Sequence, residues 1–471
     1  MTAIPGLAAS RGWAPSSCLA AALLAAIVGL AALLRFGFIT SQSLWWDEVV
    51  TWQQSRLPFG DMLAATAADN YPPLYNILAM ASTAVFGETE LALRLPSAIL
   101  GTLNVLALYW VGRLAAGRPA GLLAALLLAF SPYAIWYSHE ARMYALLACS
   151  ATVFAGTVLS FAERPRWWMG LASILAAIAL LYSHPYGAIS WGAICLGIVP
   201  LLILRRDLAR LLTLAGLQLL ALLAFVPWIG VLLERAADIR SGGFWIEPVT
   251  PWSLFQLLVQ LSSGPFLFAA TAVGIRLAFG KPAQTPLAET GRPQLPLVLA
   301  FLLVWALLPV LAGAILSWTI QPMLISRYVI ASLPPLLLLT AIGFLRLPRG
   351  RSGAIGLGAL AVAAILGLFA YNLRPRDDLR GLAAWLQTNL RPTDCLVMIP
   401  EAAIGLGYYH REQLPCVATF RSIADIPPLP SPGRVLVFET LSADISGYER
   451  LGEEVARQMF GPSVLIELKP R

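Results

Sequence analysis

The sequence predicts a polytopic α-helical membrane protein with about eleven transmembrane helices, followed by a small α/β domain outside the cytoplasm. Hydrophobic residues make up 58% of the 471 positions, charged residues only 12%, and the mean hydropathy is +0.74. An ordinary soluble domain carries roughly one-quarter charged residues, so the composition excludes that class. Long apolar stretches recur, and each approaches the roughly 20 residues that cross a bilayer core. They predict spans at 19–34, 95–111, 120–137, 143–161, 167–182, 186–204, 211–233, 254–275, 296–316, 328–345 and 353–371.

The loops between these spans alternate in charge, and the alternation predicts the orientation of the chain. The basic set of loops holds Arg113, Arg118, Arg164, Arg166, Arg205, Arg206, Arg210, Arg276, Lys281, Arg292, Arg346, Arg349 and Arg351. The other set is acidic on balance and holds Asp47, Glu48, Asp61, Asp69, Glu88, Glu90, Glu140, Glu234, Asp238 and Glu247. Because basic loops stay in the cytoplasm, the N-terminus is predicted there, and the acidic loops and the C-terminus face outside. The net charge of +7 lies mostly in these clusters, so no nucleic-acid partner is expected.

We predict a transmembrane domain at 1–372 and an outer α/β domain at 373–471. Residues 40–94 form an outer loop that is too long to be a simple connector. Its stretch "NYPPLYNILAMASTAVF" is too short to cross, and the paired prolines at its start predict a helix lying at the membrane interface. The segment "SGGFWIEP" at 241–248 predicts a loop that can cover a site.

The composition changes after residue 372. The stretches "RPRDDLRGLAAWLQTNL" and "YERLGEEVARQMF" predict helices, and "DCLVMIP", "RVLVFET" and "SVLIELK" predict short strands. Such alternation indicates a small α/β domain with its own core. Cys395 and Cys416 lie in this tail and could pair in an oxidising compartment, although connectivity does not follow from sequence.

Three outer turns carry the candidate chemistry. "SLWWDEVVTWQQS" places Asp47 and Glu48 directly after the first span, where an aromatic belt with solvated acids is the alternative. "SPYAIWYSHEARMYALL" packs Glu140 and Arg142 between two spans, and "YSHPYG" puts His184 at the outer end of another. Ionisable groups at the bilayer boundary are costly and mark functional sites. The alternative for Glu140 and Arg142 is an ion pair that joins two helix ends.

The same motifs follow one another in a characteristic order. WDE comes first, then NYPPLY, "ELALRLPSAILGTL", the "SHEARMYALL" turn and "YSHPYG", with "GGFWIEP" and "SRYVIASLPPLLLL" further on. This order resembles the dolichyl-phosphate-mannose-protein mannosyltransferase family, and more closely its bacterial aminoarabinose-transferase-like branch, the GT-C glycosyltransferases of family 39. The resemblance spans nearly the whole chain. It implies a multi-pass protein of the bacterial inner membrane whose active site and C-terminal domain are periplasmic.

The resemblance implies sugar transfer from a polyprenyl-phosphate donor to a lipid, glycan or protein acceptor. Nucleotide sugars are cytoplasmic, so an outward-facing site must use a lipid-linked donor, and the sequence has no Gly-rich phosphate loop. The reaction needs a base for the incoming hydroxyl and positive charge for the departing phosphate. The proposed base of the family corresponds to Asp47, and Glu48 is expected to orient it or to bind the acceptor. A single displacement would invert the anomeric carbon.

The other candidates are assigned to the donor or to the sugar and acceptor. Arg142 and Arg327 lie at outer span ends and are expected to bind the lipid phosphate, with interfacial snorkelling as the alternative for Arg327. The tyrosines expected at the donor phosphate or lipid are Tyr71, Tyr137 and Tyr144, with a belt position as the alternative for the last two. Sugar or acceptor binding is assigned to Asp69, Asn70, His139, Glu140, His184 and Trp245.

The sequence departs from the family where metal binding is concerned. Asn70 and Tyr71 precede the paired prolines, where relatives often carry His or an acid followed by Lys, and His139 stands where many have Gln. With His139 and His184 as the only histidines of the membrane part, spacing does not argue for a metal site. We therefore assign no metal ligand and no certain cofactor, although a divalent ion is compatible with these side chains.

A transporter or flippase of lipid-linked sugars is the alternative from another class. Transporters favour broken helices, ionisable residues near the bilayer midplane and repeat symmetry. The predicted spans are nearly free of charge in their middles, and the acids lie on one side. The sequence therefore favours the glycosyltransferase.

Overall fold

The chain forms two compact units in the computed structural model, which describes residues 16–242, 246–280, 295–348, 350–372, 376–420, 426, 429, 433–440 and 447–470. The first, called here the helical unit, comprises Met1–Phe38, Pro58–Leu78 and Arg94–Asn372. The second, the tail unit, comprises Ile39–Leu57, Ala79–Leu93 and Leu373–Arg471. The tail unit thus takes in two segments of the predicted outer loop together with the predicted α/β domain.

Helices account for nearly all of the described residues as far as 372. Helices α1 to α8 are Ser17–Phe36, Trp46–Ser55, Phe59–Ala68, Leu74–Phe86, Glu90–Ala116, Arg118–Ala129, Pro132–Ser138 and Tyr144–Glu163. Helices α9 to α16 are Trp167–Leu181, Pro185–Leu204, Leu208–Gly242, Pro251–Leu261, Pro265–Phe279, Leu295–Thr319, Leu333–Phe344 and Arg351–Asn372. A 3-10 helix, Ser326–Ser332, leads into α15. Proline in the first turn starts α7, α10, α12 and α13, because its missing N–H is not needed there.

Within the described residues, eight helices are long and apolar enough to cross a membrane, or up to ten if each of two bent helix pairs counts as one span. The predicted polytopic helical class is therefore confirmed, and eight to ten of the eleven predicted spans meet this criterion within the described residues. All eleven predicted segments are helical, but 167–182 contains only the 15-residue helix α9. At 1.5 Å per residue this helix is about 22 Å long, which is shorter than the roughly 30 Å hydrocarbon core.

Two of the predicted spans are broken helices. Helices α6 and α7 meet at 61°, and α12 and α13 meet at 88°. Ser131 caps α7 at the first break, and Ser263, with φ of 68°, lies at the second. The two hydroxyl oxygens are 2.7 Å apart, so a buried hydrogen bond joins the breaks.

A buried arginine at the end of α1 supports the first break. Arg35 is fully buried, and its guanidinium donates to the carbonyls of Leu128 at 3.0 Å and Ala129 at 3.3 Å. These are end carbonyls of α6, which have no partner within their own helix. The ring of His139, just after α7, lies 3.1 Å from the carbonyl of Leu34. The end of α1 therefore contacts both the end of α6 and the residue that follows α7.

The tail unit contains a five-stranded mixed sheet with the strand order β2-β1-β3-β5-β4. Strands β1 to β5 are Asp394–Met398, Val417–Thr419, Arg434–Glu439, Glu453–Phe460 and Ser463–Lys469, and helices α17 and α18 are Leu379–Asn389 and Pro400–Tyr409. Strand β1 pairs in parallel with β2 and β3, whereas β5 pairs antiparallel with β3 and β4. A disulfide joins Cys395 to Cys416 just before β2. The predicted α/β tail is confirmed.

One predicted helix of the tail is wrong. The stretch "YERLGEEVARQMF" forms a short 3-10 turn at Tyr448–Arg450 and then strand β4. Gly461, with φ of 61°, and Pro462 make the two-residue turn that pairs β4 with β5. Strand β4 lies at the sheet edge and is exposed along nearly its whole length, so it has no apolar alternation to reveal a strand.

Candidate active site

Side chains from four segments of the helical unit converge in one polar and aromatic cluster. One comes from the loop before α4, two from the turn into α8, one from the turn into α10 and two from the 3-10 helix before α15. The segments are far apart in sequence, so the fold creates the cluster. We call it the arginine–tyrosine cluster, and it consists of Tyr71, Arg142, Tyr144, His184, Arg327 and Tyr328.

Arg142 lies on one side of the cluster and is nearly buried, with 3% of its surface exposed. Its guanidinium carbon is 4.9 Å from the centre of the Tyr71 ring. Its Nη1 atom is 3.7 Å from Oδ2 of Asp69, at the end of α3. At that distance the contact is an ion pair rather than a hydrogen bond. The turn into α8 thus places a cation against an aromatic face.

Arg327 brings a second cation to the same aromatic side chains. Its guanidinium carbon lies 5.7 Å from the centre of the Tyr144 ring and 6.0 Å from that of Tyr328. The hydroxyl of Tyr328 is 2.9 Å from the hydroxyl of Tyr71, which also contacts Arg142. Two guanidinium groups that share neighbours in a largely buried region favour an anion beside them.

His184 contributes a neutral hydrogen-bond donor. Its Nδ1 accepts a hydrogen bond from the backbone N–H of Tyr186 at 3.0 Å, so the single proton of the neutral ring is on Nε2. Nε2 is buried and has no hydrogen-bond partner among the described residues. Burial lowers the pKa of the His184 imidazole to about 3, and the charges of Arg142 and Arg327 act in the same direction. The ring centre is 4.6 Å from that of Tyr328.

Asn70 stands beside the cluster in a backbone conformation that few residues adopt. Its φ is 63°, in the left-handed region that Asn tolerates better than most side chains. The buried Oδ1 atom has no hydrogen-bond partner within the described part of the chain. It can therefore accept a hydrogen bond from a bound hydroxyl next to Tyr71.

The remaining predicted residues of this region lie around the cluster or turn away from it. The Tyr137 ring is 5.1 Å from the Tyr144 ring, and Glu140 is 2% exposed. His139 contacts the end of α1, as described above, and so faces a different neighbour. Trp245 lies outside the described residues.

Two tyrosines belong to this region although the sequence motifs did not single them out. Tyr328 follows Arg327 directly, and Tyr186 follows His184 by two residues. The Tyr186 hydroxyl donates to the carbonyl of Met323 at 2.8 Å, and its ring is 5.6 Å from that of Tyr328. Their closeness in sequence to two predicted residues is the signal by which they could have been found.

A cavity of about 460 Å³ lies between residues 246–249, helix α12 and residues 324–326. Gln256 and Gln260, one helical turn apart on α12, line it together with Ser326. Among the described residues that line it, Glu247 is the only charged one. The described lining of the cavity therefore offers amide, hydroxyl and carboxylate groups but no cation. Its residue Ser326 directly precedes Arg327 of the arginine–tyrosine cluster in the sequence.

Asp47 and Glu48 belong to the tail unit, where they form the first turn of α2. Asp47 is half-buried, and its carbonyl accepts a hydrogen bond from the Thr51 hydroxyl at 3.2 Å. Glu48 is fully buried, with Oε2 at 3.3 Å from the backbone N of Trp45 and 3.4 Å from Nη1 of Arg376. An acid in the first turn is favoured by the helix dipole. A carboxylate so enclosed suits the predicted orienting role better than acceptor binding.

No group of three or more His, Cys, Asp or Glu side chains that could hold a metal ion occurs within the part of the chain that the structure describes.

Comparison with known proteins gives the family context. Residues 70–230 match the family described as dolichyl-phosphate-mannose-protein mannosyltransferase. No curated protein is significantly similar to the chain. The predicted family resemblance is confirmed over these residues.

The fold is similar to that of ArnT from Cupriavidus metallidurans over 95% of this chain and 98% of that one. The TM-score is 0.61 with 17% identity for the apo state, and 0.59 with 15% identity for the structure bound to undecaprenyl phosphate. The Archaeoglobus fulgidus oligosaccharyltransferase in complex with Zn and sulfate has a TM-score of 0.51 and 14% identity, over 88% of this chain and 67% of that one. These similarities confirm the predicted GT-C fold class.

Proposed function

We take the chain as a membrane glycosyltransferase of the GT-C class, and on that premise we propose that it transfers a sugar from a polyprenyl-phosphate donor to a periplasmic acceptor. The observation that carries the proposal is the arginine–tyrosine cluster. It combines two guanidinium groups with a buried, neutral imidazole N–H in one part of the helical unit. The ArnT structure with a similar fold contains undecaprenyl phosphate, which supports a carrier of the same class.

The cluster has the groups that a departing phosphate needs. Arg142 and Arg327 supply positive charge, and the hydrogen-bonded pair of Tyr71 and Tyr328 hydroxyls leaves one O–H as a further donor. His184 stays neutral at physiological pH and donates from Nε2. Charge-assisted hydrogen bonds of this kind stabilise the charge that develops on a leaving phosphate. Because a phosphate group is a good leaving group without being protonated, the reaction requires no general acid.

The cavity beside Ser326 suits an uncharged or amine-bearing sugar. Its described lining has carboxylate, amide and hydroxyl groups and no cation, so it would not attract a phosphate. Its volume lies within the roughly 300–1,000 Å³ typical of small-molecule sites. We assign the sugar to this cavity. The buried Oδ1 of Asn70, beside Tyr71, is a separate acceptor for a hydroxyl of the sugar or the acceptor.

Asp47 is the proposed general base. A half-buried carboxylate at a helix N-terminus can take the proton of an incoming hydroxyl as the new glycosidic bond forms. The electrons of the broken sugar–oxygen bond leave with the polyprenyl phosphate. One displacement inverts the anomeric carbon. The acceptor is a lipid, a glycan or a protein that presents a hydroxyl or amine.

Two features support a periplasmic site in the bacterial inner membrane. The acidic loops are predicted outside by the positive-inside rule. The Cys395–Cys416 disulfide belongs to the tail unit, and disulfides persist in the periplasm but rarely in the cytoplasm. Both features favour an extracytoplasmic position for the tail.

A flippase of lipid-linked sugars is the second candidate, because transporters commonly use broken helices. Two occur within the described residues, with bends of 61° and 88°. A flippase would also bind the carrier lipid but would form no glycosidic bond, so a transfer assay separates the two functions.

The test of the donor site is carrier lipid that co-purifies with the protein, measured by native mass spectrometry. Wild type is expected to carry polyprenyl phosphate, and the Arg142→Ala, Arg327→Ala double variant is expected to lose at least nine-tenths of it, about 1.4 kcal/mol or more. Retention of the lipid by the double variant would refute the phosphate role of both arginines.

The matched control is the Arg205→Ala, Arg346→Ala double variant. Both control arginines belong to the helical unit and donate to backbone carbonyls, Arg205 to Ala162 and Arg346 to Gly280. The control loses the same number of charges, so it should keep its lipid if the effect is specific.

A further inference from the structure

The segment that carries Asp47 is held by the C-terminal part of the chain inside the tail unit. The Ser43 hydroxyl donates to Asp378 Oδ1 at 3.1 Å and accepts from the backbone N of Arg380 at 3.2 Å. The backbone N of Leu44 donates to the Tyr409 hydroxyl at 2.6 Å. The residues that lead into α2 are therefore anchored by the start of α17 and the end of α18.

One contact reaches the first turn of α2 itself. Arg376 is 11% exposed, and its Nη1 lies 3.4 Å from Oε2 of Glu48, which is fully buried. Its guanidinium carbon is 5.9 Å from the centre of a Trp45 ring. The same Glu48 oxygen accepts from the backbone N of Trp45 at 3.3 Å, which closes the N-terminus of α2. Asp47 stands between these two residues in the sequence.

Removing the Arg376 side chain from its ion pair with Glu48 has a definite physical consequence. A buried carboxylate without its cation is strongly destabilised and must take up a proton or move to water. If Glu48 moves, the backbone N of Trp45 loses its acceptor, and the first turn of α2 loosens. Asp47 belongs to that turn, so its carboxylate would lose its fixed position.

The other end of α2 has separate anchors, so the effect should remain local. The Trp52 ring packs edge-on against Tyr408 with centres 5.1 Å apart, and its Nε1 donates to Glu88 at 3.2 Å. Arg411 also lies over Trp52, at 5.6 Å. None of these contacts involves Arg376.

We propose that Arg376 is a positioning residue for the reaction: through Glu48 it holds the first turn of α2 so that Asp47 keeps the geometry of a general base. The inference rests on the proposed function of Asp47. It gives the C-terminal domain a role in the chemistry, since Arg376 lies at its start. Misplacing a catalytic group by about 1 Å can lower the rate by about 100-fold, so one ion pair can matter this much.

Hydrogen exchange in the full-length protein tests the contact without reference to activity. In Arg376→Ala, the peptide that covers residues 46–51 should exchange about tenfold faster than in wild type, because a charged hydrogen bond contributes that much. Residues 52–55 should change less. Arg376→Lys should restore part of the protection, and so should the Glu48→Gln, Arg376→Ala double variant, which has no buried charge to compensate.

The matched control is Arg434→Ala. Arg434 forms a 2.6 Å ion pair with the fully buried Asp394 in the same domain. Its loss should raise exchange in strands β1 and β3 and leave residues 46–51 unchanged. Equal loss of protection at 46–51 in both variants would mean general loosening of the domain and would overturn the proposal.

Transfer kinetics test the catalytic meaning. The donor probe is the radiolabelled polyprenyl-phosphate-sugar fraction of bacterial membranes, and the acceptor probe is an envelope extract. Arg376→Ala should lower kcat at least tenfold with little change in KM for the donor, and Arg376→Lys should recover part of it. An unchanged kcat would overturn the inference. If wild type transfers no label while the exchange pattern is as predicted, the proposed function is wrong. Arg376 would then hold the first turn of α2 without any role in catalysis.

Discussion

Charged residues at a bilayer boundary are stable only where the protein supplies partners, and the arginine–tyrosine cluster supplies several. Arg142 lies against Tyr71 and near Asp69, while Arg327 lies against Tyr144 and Tyr328. A buried cation beside an aromatic face gains more than an exposed one because less water competes. These contacts hold the guanidinium groups in place before any phosphate arrives.

His184 gives a prediction on pH. The pKa of its imidazole falls from 6.5 to about 3 because the ring is buried beside two arginines. Below pH 6.5 His184 is protonated in the unfolded chain but stays neutral in the folded protein. The contribution of His184 to the free energy of unfolding is therefore fully present above pH 6.5 and is lost as the pH falls toward 3. The loss is about 1.4 kcal/mol per pH unit in this window.

The prediction is checked by chemical unfolding of wild type and His184→Gln between pH 4 and pH 7, about where the effect is largest. The stability of wild type should fall more steeply with acid than that of the variant, by one proton per molecule. Parallel curves would show that His184 is protonated in the folded protein, which is incompatible with its assignment as a neutral donor.

At the scale of single residues, the sequence named most of the cluster but not its geometry. Arg142, Arg327 and His184 were expected because ionisable groups at the bilayer boundary are costly and mark functional sites, and Tyr71 because it lies in the NYPPLY motif. His139 was expected with them, yet its ring contacts α1, since a residue's direction in a turn depends on the local backbone. Arg376 was missed because it looks like any arginine near a membrane surface.

Secondary-structure elements determine which turns can meet. The hydrogen bond between Ser131 and Ser263 joins the two helix breaks, and Arg35 satisfies the carbonyls at the end of α6. The breaks themselves were not predicted, because the two bent pairs read as continuous apolar runs at 120–137 and 254–275. Strand β4 was misjudged as a helix because an exposed edge strand has no buried face, and only the Gly461–Pro462 turn signals the hairpin.

The disulfide gives a prediction for the sheet. It ties Cys395 in β1 to Cys416, 21 residues later, and closing a loop of that size stabilises the fold by about 3 kcal/mol. The Cys395→Ser, Cys416→Ser double variant should therefore lose about 100-fold in hydrogen-exchange protection of β1, the strand that pairs with β2 and β3. Cys195→Ser, a change in the helical unit, is the control and should leave β1 unchanged. Unchanged protection of β1 in the double variant would mean that the bridge does not stabilise the sheet.

For the molecule as a whole, the sequence predicts the class of fold well, because long apolar runs and basic loops reflect the membrane directly. The boundary near residue 372 coincides with the end of the helical unit. The assignment of residues 39–57 and 79–93 to the tail unit could not be foreseen, since it depends on contacts such as Ser43 with Asp378, made across more than three hundred residues.

If the protein transfers a sugar from a lipid phosphate with Asp47 as base, the rate of sugar transfer must depend on the Asp47 carboxylate. Transfer of radiolabelled sugar from the polyprenyl-phosphate fraction is followed for wild type, Asp47→Asn and the control Asp61→Asn, an exposed acid of the first turn of α3. Carrier lipid is quantified in the same samples by native mass spectrometry. Wild type and Asp61→Asn should transfer label, whereas Asp47→Asn should keep its lipid and lose about 100-fold or more in rate. Transfer at the wild-type rate by Asp47→Asn would contradict the base assignment, and no transfer by wild type loaded with donor would contradict the function.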